Sequence, residues 1–180
     1  MIEKADFSDL AQISEIYEAI HDEEAAGHLT TGWIRGVYPT AETARAAYDR
    51  GDLYVVRENG NVVAAAIINR IQPPGYESGT WTIPAEPEEV LVLHTLVVDP
   101  KESGKGYGRA MIRAYEQMSS QDGSRALRMD TNARNVQARA IYAHLGYREA
   151  GIIPTEFNGI PDVYLVLLEK KPPDRDVKTV

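Results

Sequence analysis

The order of helical and strand-like segments predicts an α/β (α+β) fold: a mixed, mostly antiparallel central sheet of about six to seven strands, flanked by helices. Apolar residues recur at helical spacing in four stretches, and β-rich runs bounded by turn residues separate them. A third observation is the almost uninterrupted apolar run Val90–Val98, which has the character of a central strand covered on both faces.

A short strand near Ile2 opens the order. Asp6 is placed to cap the helix that follows, whose inward face is Leu10, Ile13, Tyr17 and Ile20. The irregular stretch GHLTTGWIRGVYPT leads to a second helix, with Thr40 as cap, Ala44, Ala47 and Tyr48 as its face, and Gly51 as its stop. Residues 53–57 and 62–71 are β-rich runs joined through Asn59-Gly60, the pair that best tolerates the positive φ angles of a tight hairpin. After the Pro/Gly-rich loop QPPGYESGTWTIPAEPEE comes the apolar strand, which ends at Asp99-Pro100. A helix over about 107–119 carries the stripe Tyr107, Ala110, Met111, Ala114, Tyr115 and Met118. Beyond it lie a strand at 126–131, a helix at 135–145, and two final strands near 147–153 and 162–169.

The chain of 180 residues matches about one domain on the usual scale of ~100–200 residues. That domain is expected over 1–170, with a flexible tail at 171–180, where two prolines and mixed charge leave almost nothing to bury. Hydrophobic residues at 43% and charged residues at 26% suit a globular protein. The sequence has no cysteine, which excludes disulfides, thiolate zinc sites and a cysteine nucleophile, and no metal is expected. The net charge of −8 argues against a nucleic-acid partner. No run approaches the ~20 apolar residues that span a bilayer, and the opening MIEKADFSDL carries charges where a secretory signal needs an apolar run. A cytoplasmic protein without a membrane partner is the expectation.

The informative segment is LVVDPKESGKGYGRAMI, where a buried strand leads into Gly104, Gly106 and Gly108 and then into an amphipathic helix. Glycines there let backbone N–H groups approach an anion, and the helix N-terminus adds partial positive charge, so a phosphate is the natural guest. Neither the GxGxxG nor the GxxxxGK-Ser/Thr spacing is present. Taken alone, the loop is equally a structural turn.

These residues resemble the GNAT superfamily of acyl-CoA N-acyltransferases. Its pyrophosphate loop, Q/R-x-x-G-x-G/A, is similar to Ser103-Gly104-Lys105-Gly106-Tyr107-Gly108, and TNARNVQARAIYAHLGY is similar to its Asn-x-x-Ala-x-x-x-Tyr followed by Leu-Gly-Phe/Tyr. The resemblance covers about 90–147 and implies splayed central strands, with acetyl-CoA as co-substrate. It implies that Leu96, Val97 and Val98 offer their backbone to the pantetheine arm, that Asn135 and Ala138 lie beside it, and that the glycine loop holds the pyrophosphate. Ser103 departs from the family's Arg or Gln, so that contact is lost or made by a hydroxyl, with Lys105 or Arg109 compensating. Asn135 is also a natural helix cap, and both roles can hold together.

An amine attacking a thioester must lose a proton, and the departing thiolate must be stabilised or protonated. By resemblance Tyr142 faces the sulfur as proton donor; packing on the sheet is its bland role. His94, on the same alternating side as Val92 and Leu96, is the best single base, or else a hydrogen-bonded structural histidine. Glu89 and Glu88 could act through a water or simply belong to a solvated loop, and proximity alone can suffice without a dedicated base. Trp33, Tyr38 and Trp81 are candidates to line the acceptor pocket, with Glu23 and Glu24 available to hold a cation. Three readings follow: an acetyltransferase for a small-molecule amine, one for a protein Lys or α-amino group, and a non-catalytic acyl-CoA-binding module. A homodimer through the final strands is open.

Overall fold

The computed structural model describes residues 2–174. Its elements are β1 (Ile2–Lys4), α1 (Asp9–Ala25), α2 (Ala41–Arg50), β2 (Leu53–Glu58), β3 (Asn61–Asn69), β4 (Val90–Val98), α3 (Tyr107–Asp122), β5 (Ala126–Asn132), α4 (Val136–His144), β6 (Arg148–Phe157) and β7 (Ile160–Lys170). The strands form one seven-stranded sheet in the order β1-β2-β3-β4-β5-β7-β6. Every neighbouring pair is antiparallel except β4 and β5.

Local chemistry explains most boundaries. Asn59 and Gly60 take φ of 51° and 83°, the left-handed pair of a two-residue hairpin between β2 and β3. Asn158 and Gly159 repeat the device between β6 and β7, with φ of 50° and 82°, so the last two strands are longer than expected. Thr40 caps α2 and its N–H donates to Thr43 Oγ1 at 3.0 Å, while Gly51 ends the helix. The expected cap of α1 is displaced: Ser8 holds that place, and the Asp6 N–H donates to Asp9 Oδ2 at 2.6 Å. On α3 the buried face is Met111, Ile112, Tyr115 and Ser119, with Ala110 exposed, a slight rotation of the expected stripe.

The sheet is covered on both sides. On one, Leu91, Leu93, Leu127 and Met129 pack against Met111, Ile112 and Tyr115 of α3. On the other, Ile13, Ile16 and Tyr17 of α1 and Ala44 and Ala47 of α2 cover Val55, Ile67 and Val97. Residues buried on both faces of β4 account for its continuous apolar run.

Two features of β4 create the site. It pairs with β5 only from Val90↔Ala126 to Leu93↔Met129, and past that point the strands part. The Tyr115 hydroxyl sits 2.7 Å from the Leu91 carbonyl and 3.0 Å from that of Arg128, so α3 ties the two strands together just before they separate. At the split Thr95 takes φ of 49°, and the register with β3 slips between Ile67↔His94 and Ala65↔Val97. This bulge inserts one residue and inverts the alternation. His94 therefore shares a face with Val92 but not with Leu96, which turns to the α3 side with Val98. A positive φ is strained for a β-branched residue, and it re-aims the strand where the cleft opens.

Among the described residues no helix is long and apolar enough to cross a membrane. Of the expected tail, 171–174 carry no regular structure, and 175–180 lie outside the described residues.

Candidate active site

The chain leaves β4 through a single helical turn at Pro100–Glu102 and enters the glycine loop. Gly104 and Gly106 have φ of 80° and 88°, a conformation that costs glycine little and other residues more. A Cβ at either position would meet no atom within 4 Å, so the loop is an open concavity and not a packed turn. Among the described residues the N–H groups of 104–108 donate to no acceptor. Five such donors beside a helix N-terminus suit a diphosphate. Ser103 and Arg109 line the adjoining groove, whose walls include Leu96 and Val98 on one side and Ala138, Ile141 and Tyr142 on the other. Lys105 is turned to Glu102 at 2.7 Å, whereas Arg109 makes no ion pair among the described residues. Val97 is buried on the opposite face and has only backbone to offer. Asn135 Oδ1 accepts the Ala138 N–H at 3.1 Å, the cap bond expected of it.

Where β4 and β5 part, the groove continues into a cavity of about 210 Å³, the two sharing Leu96, Val98, Gly108, Ala138 and Tyr142. Tyr142 packs edge-on against Tyr147 with ring centroids 6.1 Å apart. Its hydroxyl bonds to none of the described residues, and the residue lines both groove and cavity. Burial, reinforced by Asp130, pushes its pKa up to about 12, so it holds its proton at neutral pH.

His94 also lines the cavity, with Nε2 2.9 Å from Asn69 Oδ1. That oxygen also accepts the Ile71 N–H at 2.9 Å, and Asn69 Nδ2 donates to Asp52 Oδ2 at 2.8 Å. The amide is thereby oriented, so Nε2 carries the imidazole proton and Nδ1 the lone pair. Burial lowers the His94 pKa to about 4 and keeps the ring neutral.

The cavity contains residues that the sequence reading passed over, and one of them is a carboxylate. Asp130, on β5 beside the split, receives the Tyr76 hydroxyl on Oδ2 at 2.8 Å, while Oδ1 bonds to none of the described residues. Burial outweighs that hydrogen bond and raises its pKa to about 6. The available signal was an aspartate inside the strand run ALRMDTN, a residue type that strands disfavour.

Trp33 and Tyr38 line the cavity too, joined by Phe157, which the sequence analysis does not place at the site. Their rings form an edge-to-face series, Trp33 to Tyr38 at 5.8 Å and Tyr38 to Phe157 at 5.5 Å. Trp81 is elsewhere: its Nε1–H donates to the Tyr76 carbonyl at 2.7 Å, and Arg128 stacks on its ring at 4.0 Å. Glu89 lies at the far end of β4, accepting the Glu86 N–H at 3.0 Å, and Glu88 is exposed. Glu24 anchors the loop before α2, accepting the N–H groups of Thr31 at 2.7 Å and Gly32 at 3.0 Å. Glu23 pairs with His28 at 2.8 Å.

A profile of the acetyltransferase (GNAT) family matches residues 11–147. Among solved structures, an N-acetyltransferase from Staphylococcus aureus Mu50 is 20% identical with a TM-score of 0.70, over 96% of this chain and 98% of that one. The ribosomal-protein-S18-alanine N-acetyltransferase of Escherichia coli is 17% identical with a TM-score of 0.68, over 100% and 97%. A Salmonella typhimurium protein solved with its cofactor acetyl-CoA is 20% identical with a TM-score of 0.66, over 97% and 95%. At these identities the structural likeness is one of fold. Taken with the family match, the splayed sheet and glycine cradle define an acyl-CoA-dependent acetyltransferase. The chain belongs to the GNAT acetyltransferase family.

Proposed function

We propose that the protein transfers the acetyl group of acetyl-CoA to a primary amine of a small molecule, by direct attack within a ternary complex. The observation that carries this reading is the continuity of the cradle and groove with a cavity holding a half-buried carboxylate and a protonated tyrosine. The N–H groups of 104–108 and the start of α3 would hold the pyrophosphate, with Arg109 adding charge. The stretch of β4 from Leu96 to Val98, unpaired toward β5, would receive the pantetheine arm as an added strand. When bound, acetyl-CoA supplies an acetyl group activated as a thioester.

Asp130 is suited to take the amine proton: a pKa near 6 leaves it ionised at neutral pH and still basic enough to act. His94 presents a lone pair on Nδ1, but at about 4 it is the weaker base. Tyr142 gives its proton to the departing thiolate.

A protein α-amine is the second reading. The E. coli relative acts on a ribosomal-protein alanine by name, and here a groove lined by Ile34, Arg134, Asp162 and Tyr164 adjoins the cavity. Release of CoA thiol from acetyl-CoA, followed against small amines and against short peptides with free N-termini, separates the two. Turnover of small amines supports the proposal; turnover of peptides alone selects the second reading. Acetyl-CoA binding without turnover of either supports a non-catalytic module.

A further inference from the structure

The charge inventory of the cavity narrows the acceptor. Resting on the acetyltransfer reading, we propose that the acceptor is a compact primary amine with no carboxylate or phosphate beside its nitrogen, held as an ammonium by Asp130 against the aromatic wall of Trp33, Tyr38 and Phe157.

Among the described residues, the cavity-lining side chains that titrate are Asp130, His94, Tyr38 and Tyr142, and none is Arg or Lys. Burial pushes both tyrosines up to about 12 and His94 down to about 4, so at neutral pH all three are uncharged. One negative charge remains with nothing lining the cavity to balance it, and its Oδ1 is free because Tyr76 occupies only Oδ2. Even a half-buried carboxylate is costly to leave without a cation, and here the partner would arrive with the ligand. An ammonium supplies that partner, and aromatic side chains nearby favour a cation further. Once paired, the carboxylate is placed to accept the proton that the amine loses on attack. One proton moves from the ammonium to Asp130 Oδ1, and the freed lone pair forms the new N–C bond as the C–S bond breaks. The thiolate takes the Tyr142 proton, and the second proton lost by the nitrogen restores Tyr142, leaving a neutral amide, CoA thiol and protonated Asp130.

An acceptor with a carboxylate beside the amine, as in an α-amino acid, would set that anion against Asp130, with no basic side chain among the described residues lining the cavity to receive it. Of the two adjoining grooves, one carries Arg109 beside the glycine cradle, and the other Arg134, whose Nη2 is 3.9 Å from Glu24 Oε1. Size points the same way, since about 210 Å³ lies below the ~300–1,000 Å³ of typical ligand sites.

The test is a matched pair, 2-phenylethylamine and phenylalanine, which differ by the α-carboxylate alone, with acetyl-CoA binding measured calorimetrically on the same protein. Wild type should prefer 2-phenylethylamine by about a hundredfold or more in kcat/KM, since like charges at close range are strongly disfavoured. Phe157→Arg, which adds a cation to the wall, should cut that preference at least tenfold. In CoA-saturated protein, 2-phenylethylamine should bind saturably to wild type and lose binding about tenfold or more in Asp130→Asn, which keeps an acceptor for Tyr76. Equal or reversed preference in wild type overturns the proposal, as does no turnover of 2-phenylethylamine by protein that binds acetyl-CoA. Failure to bind acetyl-CoA overturns the acetyltransfer reading itself.

Discussion

Tyr76 donates its hydroxyl to Asp130 Oδ2 across 2.8 Å and so decides which carboxylate oxygen faces the cavity. Tyr76 belongs to the loop between β3 and β4 and is only 2% exposed. Its carbonyl takes the Trp81 Nε1–H at 2.7 Å, so the packing of a loop outside the cavity sets the orientation of the Asp130 carboxyl group inside it.

Asp130→Asn should lower kcat/KM by about 10²–10⁴-fold with acetyl-CoA affinity little changed, the usual contribution of a positioned base. The same change should stabilise the fold at neutral pH. The folded pKa is raised from 3.8 to about 6, so the group's contribution to stability is full below 3.8 and is lost as pH rises through 6. Thermal unfolding should show Asp130→Asn more stable at pH 7 by up to about 3 kcal/mol, with the gain vanishing near pH 4.

Tyr76→Phe removes the bond that lowers the Asp130 pKa. In wild type, activity should rise with pH as Asp130 ionises near 6. In the variant that acidic limb should move to higher pH, and stability at neutral pH should fall by about 1 kcal/mol for the lost hydrogen bond. An unmoved limb assigns the base elsewhere.

Tyr142→Phe should cut kcat by about 10²–10⁴-fold while acetyl-CoA still binds. Because burial holds this hydroxyl near 12, wild type should show no basic limb from it below about pH 10.

His94→Gln should cost less than about tenfold in kcat/KM if Asp130 carries the proton. Its effect on stability runs opposite to that of Asp130. A folded pKa lowered from 6.5 to about 4 makes wild type lose stability as pH falls through that window, and the variant should lose less. Unfolding midpoints at pH 7 and pH 4.5 measure the difference.

What was legible in the sequence was whatever local chemistry decides. Asn59-Gly60, Thr40, Gly51 and the apolar run of β4 each fix a boundary without help from distant residues. The motif residues of the cradle and α4 were readable for the same reason, since a glycine at positive φ and a cap at Asn135 are local requirements. The bulge at Thr95 was hidden, because a β-branched residue gives no sign of a left-handed backbone, and this placed Leu96 on the wrong face relative to His94. Asp130 and Phe157 were missed, and Trp81 misplaced, because the cavity is assembled from the split between β4 and β5, the loop before α2 and the end of β6. Those pieces meet only in three dimensions.

The most direct measurement of the central claim is calorimetric titration of acetyl-CoA into wild type and Gly106→Trp, with folding verified by circular dichroism. The account predicts saturable one-to-one binding to wild type. It predicts loss of binding in the variant, where an indole fills the open cradle at a backbone φ of 88° that suits only glycine. Absence of binding by folded wild type, or undiminished binding by a folded Gly106→Trp protein, would contradict it.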